Sequence, residues 1–305
     1  MIATIASQQI VALRRQRVFV SLLMLMLAMT AVAGVLGWSS HRTILGVYDQ
    51  AKILLAERNL PAPANPFTLK PTLALLSNTE IYIPLIGALL AIVLGHLSIA
   101  DDEASGVGRL VFSRPVNRRT YLAGKISAAG IVIAALMAAS AVVGVVSLWI
   151  VNSSVPHGGE IARIIAFYAV AWLYLMVFAV IGMLTMLLTG RRPLALLSAM
   201  GTWLVITFVV PQFTSGLRPV ASLNPIVDPV STSQTFFQIT QHGRPASIVE
   251  QYKTISAQLL EIAPTEPTGH TLARLAPLAV ALLATTIAAL AAIDRHDFSK
   301  GASRD

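Results

Sequence analysis

The sequence predicts an all-α, polytopic membrane protein. It should have six transmembrane helices, an N-terminal amphipathic interfacial helix and a large extracytoplasmic loop before the last helix. Three observations lead there. Of 305 residues, 55% are hydrophobic and only 12% are charged, about half the roughly 25% charge of a soluble domain. Mean hydropathy is +0.73. Six stretches reach the length that crosses a bilayer, about 20 mostly apolar residues each.

The elements follow in chain order. In residues 2–17, Ile2, Ile5, Ala6, Ile10 and Leu13 share one helical face, which Gln9 interrupts. Arg14, Arg15 and Arg17 end the segment, the pattern of a helix lying at a membrane surface. The first span is 18–37. A cleavable signal peptide is the rival reading, on the arginines and Ala31-Val32-Ala33. Its apolar run of about 20 residues is longer than the 7–15 of such segments. Loop 38–80 has a helical stretch over His41–Asn59, then Pro61, Pro63, Pro66 and Pro71. The second span is 81–100 and the third 126–151. The third carries small-residue pairs four apart, Ala134–Ala138, Ala135–Ala139 and Ser140–Gly144, which suit close helix contact. Spans 164–189 and 194–213 follow. Loop 214–271 holds Pro219, Pro225, Pro229, Pro245, Pro264 and Pro267. Its proline-free part, Ile248–Ile262, predicts a helix with Val249, Tyr252, Ile255, Leu259 and Ile262 in register. Leu223–Ile239 is too apolar for a free loop and too short to span, so it either dips into the outer leaflet or packs on the span ends. The sixth span is 272–293. The whole chain, 1–305, reads as a single transmembrane domain.

Charge sets the orientation. Segments 1–17, 101–125, 190–193 and 294–305 carry 13 Lys and Arg in 58 residues; the alternate loops carry 8 in 113. The basic side stays in the cytoplasm. Both termini and loop 101–125 are therefore expected there, in the cell (inner) membrane of a prokaryote. The net charge of +8 does not mark a nucleic-acid binder, because the basic residues sit in short clusters at span ends.

Catalytic signatures are missing from the sequence. It has no cysteine, and its six histidines are isolated, with His96 alone inside a span. Neither HExxH nor GxSxG occurs, and the spans lack paired acidic residues of the kind ion-coupled carriers use. Gly124-Lys125-Ile126-Ser127 is the nearest approach to a phosphate loop. Arg119 replaces its first glycine and Ile126 its Ser or Thr, and it opens a membrane helix rather than following a strand. If ATP is used, a partner chain binds it.

The charged island Asp101–Lys125 is the exception in this apolar chain. Asp101, Asp102 and Glu103 begin it, Ser105–Gly108 allow a turn, and Leu110-Val111-Phe112 form an apolar patch. Arg118 and Arg119 then lead into Tyr121–Lys125. An apolar patch at a loop tip suggests a surface for a partner; the alternative is a solvated connector. The run Glu103-x-x-Gly106, Leu110-Val111-Phe112-Ser113-x-Pro115-Val116-x-Arg118 and Leu122-x-Gly124-Lys125 resembles the first cytoplasmic loop of type 2 ABC exporter permeases. The basic N-terminus, six spans, Leu223-Asn224-Pro225 and the Arg295-His296-Asp297-Phe298 tail are similar too. The closest resemblance is to the branch containing the nitrous-oxide-reductase maturation permease. Val107-Gly108 stands where that family has Thr-Leu, and Arg109 interrupts the apolar run.

The resemblance implies that the island is a coupling helix seated on a cytoplasmic ABC ATPase subunit. The docking residues would be Glu103, Gly106, Arg109, Leu110, Phe112, Arg114, Pro115, Arg118 and Arg119. It implies two ATPase subunits, which hold ATP and Mg, and a second permease chain, identical or homologous. Pathway residues by the same resemblance are Pro84 and Gly87 in the second span and Gly201, Thr202 and Thr207 in the fifth. No cofactor is expected in this chain. The implied function is outward movement of a drug, peptide or lipid. Alternatives are a non-transporting anchor or regulator of the same fold and, from another class, an ion-coupled carrier or intramembrane enzyme.

Overall fold

A computed structural model describes residues 2–15, 17–58, 60–61, 72–113, 116–152, 156–215, 235–264 and 268–297. Among these every regular element is helical, and six helical stretches are long and apolar enough to cross a membrane. The helices are α1 (Ile2–Arg15), α2 (Arg17–Glu57), α3 (Ser77–Tyr82), α4 (Ala88–Ala104), α5 (Val107–Phe112) and α6 (Arg118–Asn152). They continue with α7 (Gly158–Thr189), α8 (Arg192–Leu204), α9 (Val210–Ser215), α10 (Thr235–Thr240), α11 (Ile248–Leu259) and α12 (Thr268–Arg295). Of Leu223–Ile239, expected either to dip into the outer leaflet or to pack on the span ends, the part up to residue 234 lies outside the described residues.

Every span extends past the apolar window that betrays it. The largest difference is α2, which runs unbroken through the boundary expected at residue 37 and absorbs the helix expected over His41–Asn59. Nothing between Trp38 and Glu57 stops a helix, since the only glycine there is Gly46 and no proline intervenes. At about 1.5 Å per residue, 41 residues exceed the roughly 30 Å hydrocarbon core about twofold. The second span starts before residue 81, at a 3-10 turn over Thr72–Leu76.

Two spans contain π-helical turns. One covers Ile83–Gly87 between α3 and α4, and the other Val205–Val209 between α8 and α9. Proline is the physical cause in the first: Pro84 has no N–H to give the i−4 carbonyl, and the Ala88 N–H bonds Ile83 O instead. In the second, the Val210 N–H bonds Val205 O just before Pro211. The Trp203 indole N–H donates to the Pro84 carbonyl at 2.9 Å and ties the two broken spans together.

The second and fourth spans form the centre, with most of their residues buried; the other spans keep one side outward. α4 and α7 touch backbone to backbone. A Cβ on Gly95 would run into the Ala179 carbonyl, and one on Gly182 into the Ile92 carbonyl. In lipid, where apolar side chains gain little by exchanging lipid tails for one another, such close approach is what holds helices. The small-residue pairs of the third span divide. Ala134, Ala135 and Ala138 face outward, whereas Ser140 and Gly144 are buried. The Ser140 carbonyl accepts from the Tyr168 hydroxyl at 3.0 Å.

The far end of the bundle is capped by α11, which packs on α7 and α12. Its register is the one the sequence predicts, with Val249, Tyr252 and Ile255 buried. Ser247 caps it by accepting from the Glu250 N–H, and Tyr252 stacks on Tyr174 at 4.7 Å between ring centroids.

Candidate functional site: the braced island

The island is a helix–turn–helix hung between two spans. α4 ends where Ser105 turns back, its N–H and hydroxyl both on the Asp101 carbonyl at 2.9 and 2.7 Å. Gly106 follows with φ of 70°, a left-handed conformation that favours glycine. α5 then occupies one and a half turns. Asn117 restarts the chain as α6 by accepting the Arg119 N–H at 2.9 Å on its side-chain oxygen.

The apolar triplet divides on folding. Leu110 is 70% exposed. Val111 and Phe112 turn inward against the core, and Phe112 meets the Tyr121 ring edge-on at 5.2 Å. The patch legible in the sequence is therefore one exposed leucine on a helix whose other apolar side chains anchor it. The Arg109 side chain, Arg114 and Pro115 lie outside the described residues.

Buried ion pairs fasten this element on two sides. On the first side, Lys125 reaches Asp102 at 2.6 Å with its ammonium almost wholly buried. The Tyr121 hydroxyl donates to the same carboxylate at 2.6 Å, and Lys125 also donates to the Gln9 side-chain oxygen. α1 is thereby pinned to the island. Ala6, Gln9 and Leu13 are its buried stripe, so the glutamine that interrupts the apolar face in sequence is the polar contact of that face. Gly124 has no room for a Cβ against Ile5 of α1. The Gly-Lys pair that looked like part of a phosphate loop thus lets α1 approach and holds it there.

On the second side the island meets the C-terminal end of the chain. Glu103 is buried and lies 2.6 Å from Nε2 of His296. Nδ1 of His296 lies 2.8 Å from the Leu187 carbonyl in the last turn of α7. Arg118 donates to the carbonyls of Ile293, Asp294 and His296 at 3.3, 3.2 and 2.7 Å. These carbonyls lie at and just past the end of α12, where a cation is favoured by the dipole. Arg119 makes a two-pronged contact with Asp294 at 2.7 and 3.0 Å, on the exposed rim. Arg192, at the start of α8, donates to the Ala100 carbonyl.

Three of the docking residues read from the sequence, Glu103, Phe112 and Arg118, thus point into the protein, and Leu110 points out of it. The partners that sequence reasoning missed are Gln9, Asp102, Lys125 and His296. An open groove of about 530 Å³ runs between α1 and α5, lined by Ile5, Gln9, Asp101, Val107 and Val111. A second, of about 610 Å³, lies between the ends of α7 and α12 beside Glu103 and His296. Both termini of the described chain lie at the island end.

The pathway candidates are distributed differently. Pro84, Gly87 and Thr207 are buried inside the chain, with Gly87 against Leu175 and Met26. Gly201 faces open space, and Thr202 bonds back to the Ser198 carbonyl at 2.9 Å. Among the described residues no three His, Asp or Glu side chains gather into a metal-holding group.

One comparison with known proteins decides the family. A family model described as ABC-2 family transporter protein matches residues 3–297. The chain belongs to the ABC-2 transporter family. No match was found among curated proteins. An ABC-2 chain is a transmembrane permease component of an ABC transporter and works with ABC ATPase subunits. The six apolar spans of this ABC-2 chain make it a multi-pass membrane protein.

Proposed function

We propose that the chain is the permease of an ABC exporter that moves an amphipathic or lipid-like substrate outward. Its family is the starting point; the observation that carries the finer reading is Leu110. A single large apolar side chain stands 70% exposed on a short helix, and that helix is braced from below by buried ion pairs. A rigidly mounted apolar tip is suited to receive force from a partner. In this reading loop 101–125 is the coupling element on the cytoplasmic side, where charge counting places it together with both termini. Two ATPase subunits carry ATP and Mg, and each presses on one permease chain, the second being identical or homologous. The likeness of 103–125 supports placement near the nitrous-oxide-reductase maturation branch, in the inner membrane of a prokaryote.

The test is co-purification with an ABC ATPase subunit carrying GxxxxGK followed by Ser or Thr. Wild type retains the ATPase through size exclusion. Leu110→Glu loses it while the permease keeps its own elution and unfolding midpoint. Equal retention by Leu110→Glu and wild type would remove α5 as the docking element.

A further inference from the structure

We propose that His296 is a positioning residue that fastens the island to the ends of α7 and α12 only while the Glu103–His296 pair holds one extra proton. The geometry requires that proton. Both ring nitrogens of His296 face oxygens, the Leu187 carbonyl at 2.8 Å and the Glu103 carboxylate at 2.6 Å. A neutral imidazole has one N–H and donates once. Two such contacts need an imidazolium against a carboxylate, or a neutral imidazole accepting from a protonated Glu103. Either way the pair carries one proton more than neutral histidine beside ionised glutamate. Both side chains are nearly inaccessible, at 8% and 6% exposed, so water does not readily replace the lost contact.

The surroundings set the sign. Burial works to lower the His296 pKa, but the hydrogen bond and charge of Glu103 and the Leu187 carbonyl outweigh it and raise the value. Arg118 of α6, bonded to the His296 carbonyl, opposes the proton. Arg295 and Asp297 border the same groove; α7 contributes the Leu187 carbonyl. Beyond Glu103 lie His96 of the same span and Arg192 of α8. A raised folded value means that the fastening is complete below the ordinary histidine pKa of about 6.5 and is lost as pH rises through the raised value. The contact joins residues 193 apart in sequence and bridges the ends of three spans. Released, the island keeps its α1 pin at Lys125 but loses one of its holds on α7 and α12. The consequence for transport rests on the coupling reading above; the fastening itself does not.

The experiment uses the full chain alone, in lipid nanodiscs. The protein has no cysteine, so Leu110→Cys with Arg295→Cys gives one spin-labelled pair at two exposed sites. Electron–electron distance distributions are recorded from about pH 5 to about pH 9, spanning the ordinary histidine value. The expected result is one narrow distance in acid that broadens in alkali with a one-proton midpoint above the ordinary value. Glu103→Gln should stay narrow throughout, because an amide N–H donates to neutral Nε2 as a protonated carboxyl would. Glu103→Ala should be broad throughout. A wild-type distribution unchanged across the range overturns the proposal, as does Glu103→Gln behaving like Glu103→Ala. No ATPase is present, so these outcomes are separate from the co-purification result.

Discussion

At the island end, Asp102 faces an ammonium and a phenol, and Glu103 faces an imidazole. At the far end, Glu80 is only 1% exposed, and neither of its carboxyl oxygens has a hydrogen bond. Its charged neighbour is Lys253 of the capping helix α11, acting through space. The chain therefore partners its buried acids unevenly. A buried charge without a partner is costly, and a buried pair is kept only with good geometry. The island end meets that condition repeatedly, drawing on α1, α4, α6, α7 and α12. Among the described residues the far end meets it once, at Glu250, which pairs with Arg244 at 2.9 Å and accepts from the Ser215 hydroxyl; Glu80 is held by the packing of a lid, Tyr252 on Tyr174.

Substitutions that unpair or neutralise these groups sharpen the contrast. Lys125→Met should have the largest effect. It strands Asp102 beneath α1 and should cost about 3–5 kcal/mol, as breaking a buried pair does. The readout is the unfolding midpoint in detergent, and Asp102→Asn added to it should recover part of the loss. Glu80→Gln should act in the opposite direction. Replacing a buried carboxyl that makes no hydrogen bond should leave stability equal or raise it by up to about 1–3 kcal/mol. A loss comparable to that of Lys125→Met would show that Glu80 is paired as tightly as Asp102. Next comes pH. The midpoint of wild type should fall as pH rises through the His296 value, and Glu103→Gln should flatten that slope. Arg119→Ala should have the smallest effect, leaving the midpoint essentially where it is, because its pair with Asp294 is on the exposed rim.

Much of the frame was legible in the sequence. Apolar length marks six spans, and the register of Val249, Tyr252 and Ile255 marks α11, because burial on one helical face leaves a local pattern. The bracing was not legible for the converse reason. Gln9 and Lys125 are 116 residues apart, and Glu103 and His296 are 193 apart; no local period records such contacts. Two signals were present in altered guise: Gln9 broke an apolar stripe, and Lys125 followed a glycine at the mouth of a membrane helix. The continuation of α2 past residue 37 escaped because a polar helix and a polar loop share composition. The split of Leu110 from Val111 and Phe112 follows from the turn at Gly106, which aims one side of α5 outward.

The contact on which coupling rests is that of Leu110 with an ATPase subunit. Leu110→Cys supplies the chain's only thiol, since the protein has no cysteine. A short thiol–amine cross-linker on the assembled complex then reads the contact directly. A permease–ATPase cross-link is expected, with a yield that changes between nucleotide-free and ATP-bound states. A complex that assembles and hydrolyses ATP, yet gives no such cross-link while a cysteine on the far-end α11 does, would contradict it.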